Sequence, residues 1–191
     1  MPASHISHLQ CVLCGATYNP ADIAYTCPKC GPLGVLEVHY DYAQIAPHIS
    51  RASLAEDCDP TLWRYRALLP ISYSRKDTPQ LAIGGTPLYP VERLRNHLGM
   101  SDLWLKDDTR NPSASLKDRA SIIAVMLAEG KTVACASTGN AASSLAVQAA
   151  SVGLPCYIFV PYNAPRAKII QLLMCGATVF AVQGTYDEAF D

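Results

Sequence analysis

Asn111-Pro112-Ser113-Ala114-Ser115-Leu116-Lys117-Asp118-Arg119 is followed, one helix and one strand later, by Ala136-Ser137-Thr138-Gly139-Asn140. In both stretches a loop of small and hydroxyl-bearing residues opens into an apolar run with helical spacing. From residue 116 to Gly130, Ile122, Ile123, Val125, Met126 and Leu127 read as a helix buried on most of its surface and ended by the glycine. Ser115 is its expected N-cap and Asp118, three residues on, completes a capping-box pattern, which sets Lys117 in the first turn. Outward from there, 132–136 is a short apolar strand and 141–152 an alanine-rich helix stopped by Gly153 and Pro155. Strand 156–160, helix 164–175 and strand 178–182 follow. This alternation, with crossovers of parallel-sheet length, defines an α/β fold on a parallel sheet.

Upstream, Leu103-Trp104-Leu105-Lys106 is a strand that delivers the chain to the loop 107–112, and 91–98 is a short helix closed by Gly99. Gly84-Gly85-Thr86-Pro87-Leu88 is a turn entering an extended segment in which Pro87 fixes the backbone. Trp63, Tyr65, Leu68 and Leu69, with Arg64 and Arg66 interleaved, could stack on nucleic acid, but one short instance reads better as a helix packing on its own domain. A weakly helical stretch at 43–56 ends in a turn cluster at 57–60, and 35–42 alternates as an edge strand with His39 on its solvated side.

Cys11-Val12-Leu13-Cys14-Gly15 and Cys27-Pro28-Lys29-Cys30-Gly31 are two matched knuckles with twelve residues between them. A two-residue spacer lets both thiolates of a knuckle point at one tetrahedral metal, and the following glycine allows a left-handed turn. Cys11, Cys14, Cys27 and Cys30 are therefore candidate ligands of a structural zinc that staples a segment too small to bury its own core. A ribbon that keeps its shape without metal is the other reading. Of the remaining cysteines, Cys135, Cys156 and Cys175 look like small buried hydrophobes and Cys58 like a surface thiol.

The 191 residues are 50% hydrophobic, ample for a packed core, and carry 15 basic and 16 acidic side chains well mixed, for a net charge of -1. Nothing in that balance points to nucleic acid or an anionic membrane as partner. No apolar run reaches the roughly 18 to 20 residues of a membrane span, and Met1-Pro2-Ala3-Ser4-His5 lacks the layout of a signal peptide, so the expected location is the cytoplasm. The expected divisions are a zinc-ribbon-like segment at 1–45, a linker with packing helices at 46–85, and an α/β part at 86–191.

Two features carry chemistry. Lys117 opens a buried helix, where the positive end of the helix dipole and nearby Arg119 disfavour the ammonium form. An amine so placed can attack an aldehyde and form an imine, as pyridoxal phosphate enzymes require. Residues alone leave open a surface lysine paired with Asp118. In Ser137, Thr138, Gly139 and Asn140 a strand ends and a helix begins, so exposed N–H groups and two hydroxyls make an anion site for a carboxylate or phosphate. A plain N-cap would use the same residue types.

Together, in this order, the two stretches resemble the fold-type II pyridoxal phosphate enzymes, with the architecture of the tryptophan synthase beta-like group, and the details look like the threonine synthase family. Residues 84–88, 103–106, 111–119 and 137–140 carry the resemblance, as do Leu62-Trp63-Arg64-Tyr65 and the cysteine knuckles found in part of that family. The resemblance implies that Lys117 holds pyridoxal 5'-phosphate as a Schiff base and then shuttles protons. It implies that Asn140 bonds the cofactor's 3-hydroxyl, that Ser137, Thr138 and Gly139 bind the substrate carboxylate, and that the full-length protein is a homodimer. The implied reaction is a lyase conversion of an amino-acid phosphate, O-phospho-L-homoserine, to L-threonine and phosphate. Cysteate synthesis, or threonine or serine dehydration, is the alternative within the group; a non-catalytic zinc-ribbon interaction protein is the alternative outside it. The family's Thr-Gly-Ser-Phe before the lysine stands here as Ser113-Ala114-Ser115-Leu116. Its cofactor-phosphate glycine loop has no match, since Gly184-Thr185-Tyr186-Asp187 reads as a turn after a strand. The expectation is an N-terminal portion of a longer, otherwise incomplete fold that alone binds the cofactor poorly.

Overall fold

The computed structural model describes residues 5–23, 25–72, 79, 81–128 and 130–190. Residues 1–4 of the N-terminus, 73–78 and 80 within the expected linker, and 129 within the helix read over 116–130 lie outside the described residues, as do 24 and 191. Two compact units form, Met1–Asp59 with Trp63–Thr78, and Pro60–Leu62 with Pro79–Asp191.

In the first unit, β1 (Ile6–Cys11) lies between β2 (Thr17–Tyr18) and β3 (Leu36–Tyr40), all antiparallel, so β3 is the edge strand its alternation predicts. The sequence reading missed β1 because a register shift between Ile6 and His8 breaks the period-two pattern. His39 is not merely solvated. It is half-buried and stacks on His8 with ring centroids 4.6 Å apart. The weak helix read at 43–56 is two helices, α1 (Tyr42–Ile45), capped by Asp41, and α2 (Arg51–Glu56), capped by a reciprocal Ser50/Ser53 box. Pro47 in the intervening 3-10 turn and extended Ile49 separate them. Trp63, in the 3-10 segment Leu62–Leu68, is buried, Arg66 pairs with Asp57 at 2.8 Å, and the Arg64 guanidinium donates to the Leu54 carbonyl. Trp63 and the two arginines pack at home, while Tyr65 is exposed.

In the second unit, β4 (Leu88–Pro90) pairs antiparallel with β5 (Trp104–Lys106), which carries the half-exposed Trp104. Between them α3 (Glu92–His97) ends in a Schellman motif: Gly99, at φ +64°, donates to the Asn96 carbonyl and Met100 to that of Arg95. Then come α4 (Asp118–Leu127), β6 (Val133–Ala136), α5 (Asn140–Ser151), β7 (Cys156–Pro161), α6 (Arg166–Met174), β8 (Thr178–Val182) and α7 (Tyr186–Phe190). Strands β6, β7 and β8 are parallel neighbours in that order. Cys156, Ile158 and Val160 alternate into the core, where Ala142, Ala146 and Ala149 of α5 have no accessible surface. The small side chains at this i, i+4, i+7 spacing let the helix sit close to the sheet. Helix α4 is buried along one stripe only, at Asp118, Ser121, Ile122 and Val125, while Leu127 is exposed. Among the described residues no helix is long and apolar enough to cross a membrane.

The turn 84–86 is held by contact. Gly85, at φ +59°, would place a Cβ 2.3 Å from the Pro60 carbonyl oxygen, whereas Gly99 has open space around it. Gly99→Ala is expected to cost about 1 kcal/mol from backbone strain alone. Gly85→Ala adds a backbone clash to similar strain and is expected to cost at least about 3 kcal/mol in denaturant unfolding.

Candidate active site

The lysine loop is built on paired polar groups. Asn111 is buried; its Oδ1 accepts from the Gly84 N–H at 2.9 Å and its Nδ2 donates to the Asp108 carbonyl at 2.9 Å. Arg119 forks onto Asp108, with Nη2 and Nε at 2.8 and 3.1 Å from its two oxygens, and the Thr86 hydroxyl donates to the same carboxylate at 2.6 Å. A Cβ on Gly84 would stand 2.9 Å from the Leu62 nitrogen and 3.1 Å from Arg119 Nη1, so the turn and the guanidinium are in close contact. Arg119, expected beside Lys117 as a neighbouring cation, is thus engaged with Asp108. The Arg119 guanidinium, then the Thr86 hydroxyl, hold the Asp108 carboxyl down at about 2.

The expected capping box is absent. The Ser115 hydroxyl accepts from the Lys117 N–H, and Lys117 itself occupies the N-cap position, exposed, in helical conformation. Asp118, with no accessible surface, turns back and inward. Its Oδ2 accepts from the Ser113 N–H at 2.7 Å, and its Oδ1 accepts from Ser144 Oγ at 2.7 Å and Gln148 Nε2 at 3.0 Å. Asp118 is therefore committed to the loop and to α5, not to an ion pair with Lys117. Ser113 Oγ and Gln148 Oε1 are buried with no partner among the described residues.

Ser144 and Gln148 follow Asn140 at intervals of four on α5, so all three share the helix face turned toward the start of α4. The Asp118 bonds thereby bring the Lys117 loop alongside the loop Ser137, Thr138, Gly139 and Asn140. That second loop leaves the carboxyl end of β6, where ligands bind in open parallel sheets. Ser137 Oγ accepts from the Gly139 N–H at 3.1 Å, and no side chain among the described residues caps α5, so its first-turn N–H groups stay open to an anion. Gly139 has an ordinary φ of −100°, and the nearest atom to a Cβ there would be Ser137 Oγ at 3.7 Å. Neither backbone nor packing demands a glycine, and its bare Cα leaves room for a ligand. An exposed primary amine, an open helix start and a bare glycine fit pyridoxal phosphate with an amino-acid carboxylate.

The four knuckle cysteines also converge. Their sulfurs all lie within 4.8 Å of one another, and Cys14 and Cys27 are 3.8 Å apart. A tetrahedron with zinc–sulfur bonds of about 2.3 Å has edges of about 3.8 Å. Gly15 and Gly31 turn at φ +69° and +65°, as the spacing predicts. Donation from the Tyr18 hydroxyl lowers the Cys27 thiol to about 6, while the neighbouring Cys14 sulfur pushes the Cys30 thiol up to about 12. The sequence reading missed Gly34, where a Cβ would strike those of Cys27 and Cys30 at 2.7 Å; only its place shortly after the second knuckle hinted at this.

Residues 79–191 match the pyridoxal-phosphate dependent enzyme family, and the chain belongs to it. Within that family it is threonine synthase-like: it is 39% identical over 186 residues to the threonine synthase of Methanosarcina acetivorans and 38% identical to that of Methanocaldococcus jannaschii, in each case over 95% of this chain. It spans 44% and 45% of those relatives, less than half their length. The processed form of threonine deaminase isoform 2 from Solanum lycopersicum superimposes with a TM-score of 0.50 at 27% identity, over 55% of this chain and 30% of that one.

Ala114 sits at φ +57°, a left-handed conformation that favours glycine, at the position where the family pattern has one. Ala114→Gly is expected to stabilise the protein by about 1 kcal/mol in chemical denaturation. Asp108 contributes stability that is full above its ordinary value near 3.8 and lost as pH falls through about 2. Arg119→Met should therefore lower the melting temperature at neutral pH and flatten its decline between about pH 4 and pH 2, followed by thermal unfolding across that range.

Proposed function

We propose that this chain supplies the cofactor-holding amine and the carboxylate grip of a threonine synthase, a lyase acting on O-phospho-L-homoserine. What carries the reading is the juxtaposition made by Asp118, which hydrogen-bonds both the loop before Lys117 and the α5 helix behind Asn140. Similarity to threonine synthases along 95% of the chain, knuckles included, supports that substrate class over the dehydratases.

Pyridoxal phosphate, when bound, supplies an aldehyde for amines and an electron sink for carbanions. Lys117 would hold it through Nζ, and Asn140 would offer an amide to its ring hydroxyl. The first-turn N–H groups of α5, with Ser137 and Thr138, bind the substrate carboxylate at the positive end of the helix. Gly139 keeps that approach clear. Lys117 Nζ, at the head of α4 and exposed, takes and returns protons at the substrate's α and γ carbons as general base and acid. The knuckle cysteines Cys11, Cys14, Cys27 and Cys30 form a closed structural zinc site, too saturated with thiolates for catalysis.

On the native gene product, phosphate release from O-phospho-L-homoserine with threonine formation is the expected activity. Lys117→Ala should reduce it by about 10³-fold or more and abolish the imine absorption band of the bound cofactor. Gly139→Val should raise KM for the substrate while leaving that band in place. Release of phosphate from O-phosphoserine alone, or deamination of threonine without phosphate release, would overturn the assignment.

A further inference from the structure

Four sulfurs converge on one point, but they are not held alike. Cys27 has no accessible surface, whereas Cys14 is exposed and Cys30 half-buried. The Cys27 sulfur lies 3.0 Å from the Tyr18 hydroxyl. A hydroxyl donor thus stands at a ligand atom that is sealed from solvent.

The sheet explains how Tyr18 gets there. Strand β1 ends at Cys11, the first cysteine of its knuckle, and Tyr18 on β2 pairs with Leu9 of β1. The strand that carries one knuckle therefore positions the hydroxyl that reaches the other. Gly34 closes the far side, since any side chain there would strike the Cβ atoms of Cys27 and Cys30.

We infer that Tyr18 is a positioning residue of the metal site, its hydroxyl donating to the Cys27 sulfur to fix that ligand's direction and to draw off part of its charge. This rests on the reading of the four cysteines as a metal site. Four thiolates around a divalent cation leave surplus negative charge on the sulfurs, and a donor outside the ligand shell offsets it. Losing such a partner typically weakens metal affinity by about 10- to 100-fold. Tyr18→Phe keeps the ring on β2 and deletes only the hydroxyl.

The test uses cobalt(II) and zinc(II) on the intact chain, comparing wild type, Tyr18→Phe and Cys27→Ser. Wild type is expected to take up one cobalt per chain with a tetrahedral thiolate spectrum. Tyr18→Phe is expected to bind zinc at least about tenfold more weakly against a competing chelator. Its sulfur-to-cobalt charge-transfer band should move to lower energy, because the unbonded sulfur gives up charge more readily. The band is read on the metal-loaded protein, so it decides the matter even if the metal-free variant folds poorly. An unchanged affinity and band in Tyr18→Phe would overturn the role of Tyr18 and leave the site standing. No cobalt uptake by wild type, or equal uptake by Cys27→Ser, would overturn the site and Tyr18's role together.

Discussion

The Asp118 carboxylate, sealed from solvent, accepts three hydrogen bonds and ties together three pieces of chain: the loop at Ser113, its own helix α4, and α5 through Ser144 and Gln148. Burying a carboxylate is costly unless its oxygens are fully engaged, and leaving one without its donors costs several kcal/mol. That penalty makes the arrangement specific. A slip of α4 by one turn toward the C-terminal end of α5 would exchange one of these two donors for Val152. The register of α4 against α5 therefore follows from polar matching, and the apolar stripe of Ile122 and Val125 only adds to it. The helix starts at Lys117 and Asn140 inherit their relative placement from that register.

The fold was legible where burial is periodic. Strands β6, β7 and β8 and helices α5 and α6 stand close to where alternating and helical spacing puts them, because each has an inner and an outer face. The lysine and the anion loop were legible as candidate residues, since amine and hydroxyl chemistry is visible in the residue types. What was hidden is the wiring. Asp118 has the spacing of a capping-box partner for Ser115, and nothing local reveals that Ser144 and Gln148, 26 and 30 residues away, will claim it. Arg119 likewise reads as Lys117's neighbour until Asp108 and Thr86 are brought up beside it by the turn at Gly84.

Glycine serves three different ends in this chain. Gly15 and Gly31 are needed for their left-handed backbone, with free space around them. Gly34 and Gly85 are needed because another group already occupies the Cβ position. Neither reason applies at Gly139, and the function proposed above gives it a third, room for the substrate. Ala114 is the inverse case: a side chain kept where the backbone favours none, one residue before the serine whose hydroxyl accepts from the Lys117 N–H.

The two tryptophans of the chain fall one in each compact unit, Trp63 buried in the first and Trp104 half-exposed on β5 in the second. A buried indole emits at shorter wavelength than a wet one, so the fluorescence of this protein is the sum of two distinguishable lamps, each lighting a separate half. The unit with the cysteine knuckles and the unit with Lys117 thereby report their own melting without any label, the first by a red shift and the second by quenching with little change of colour.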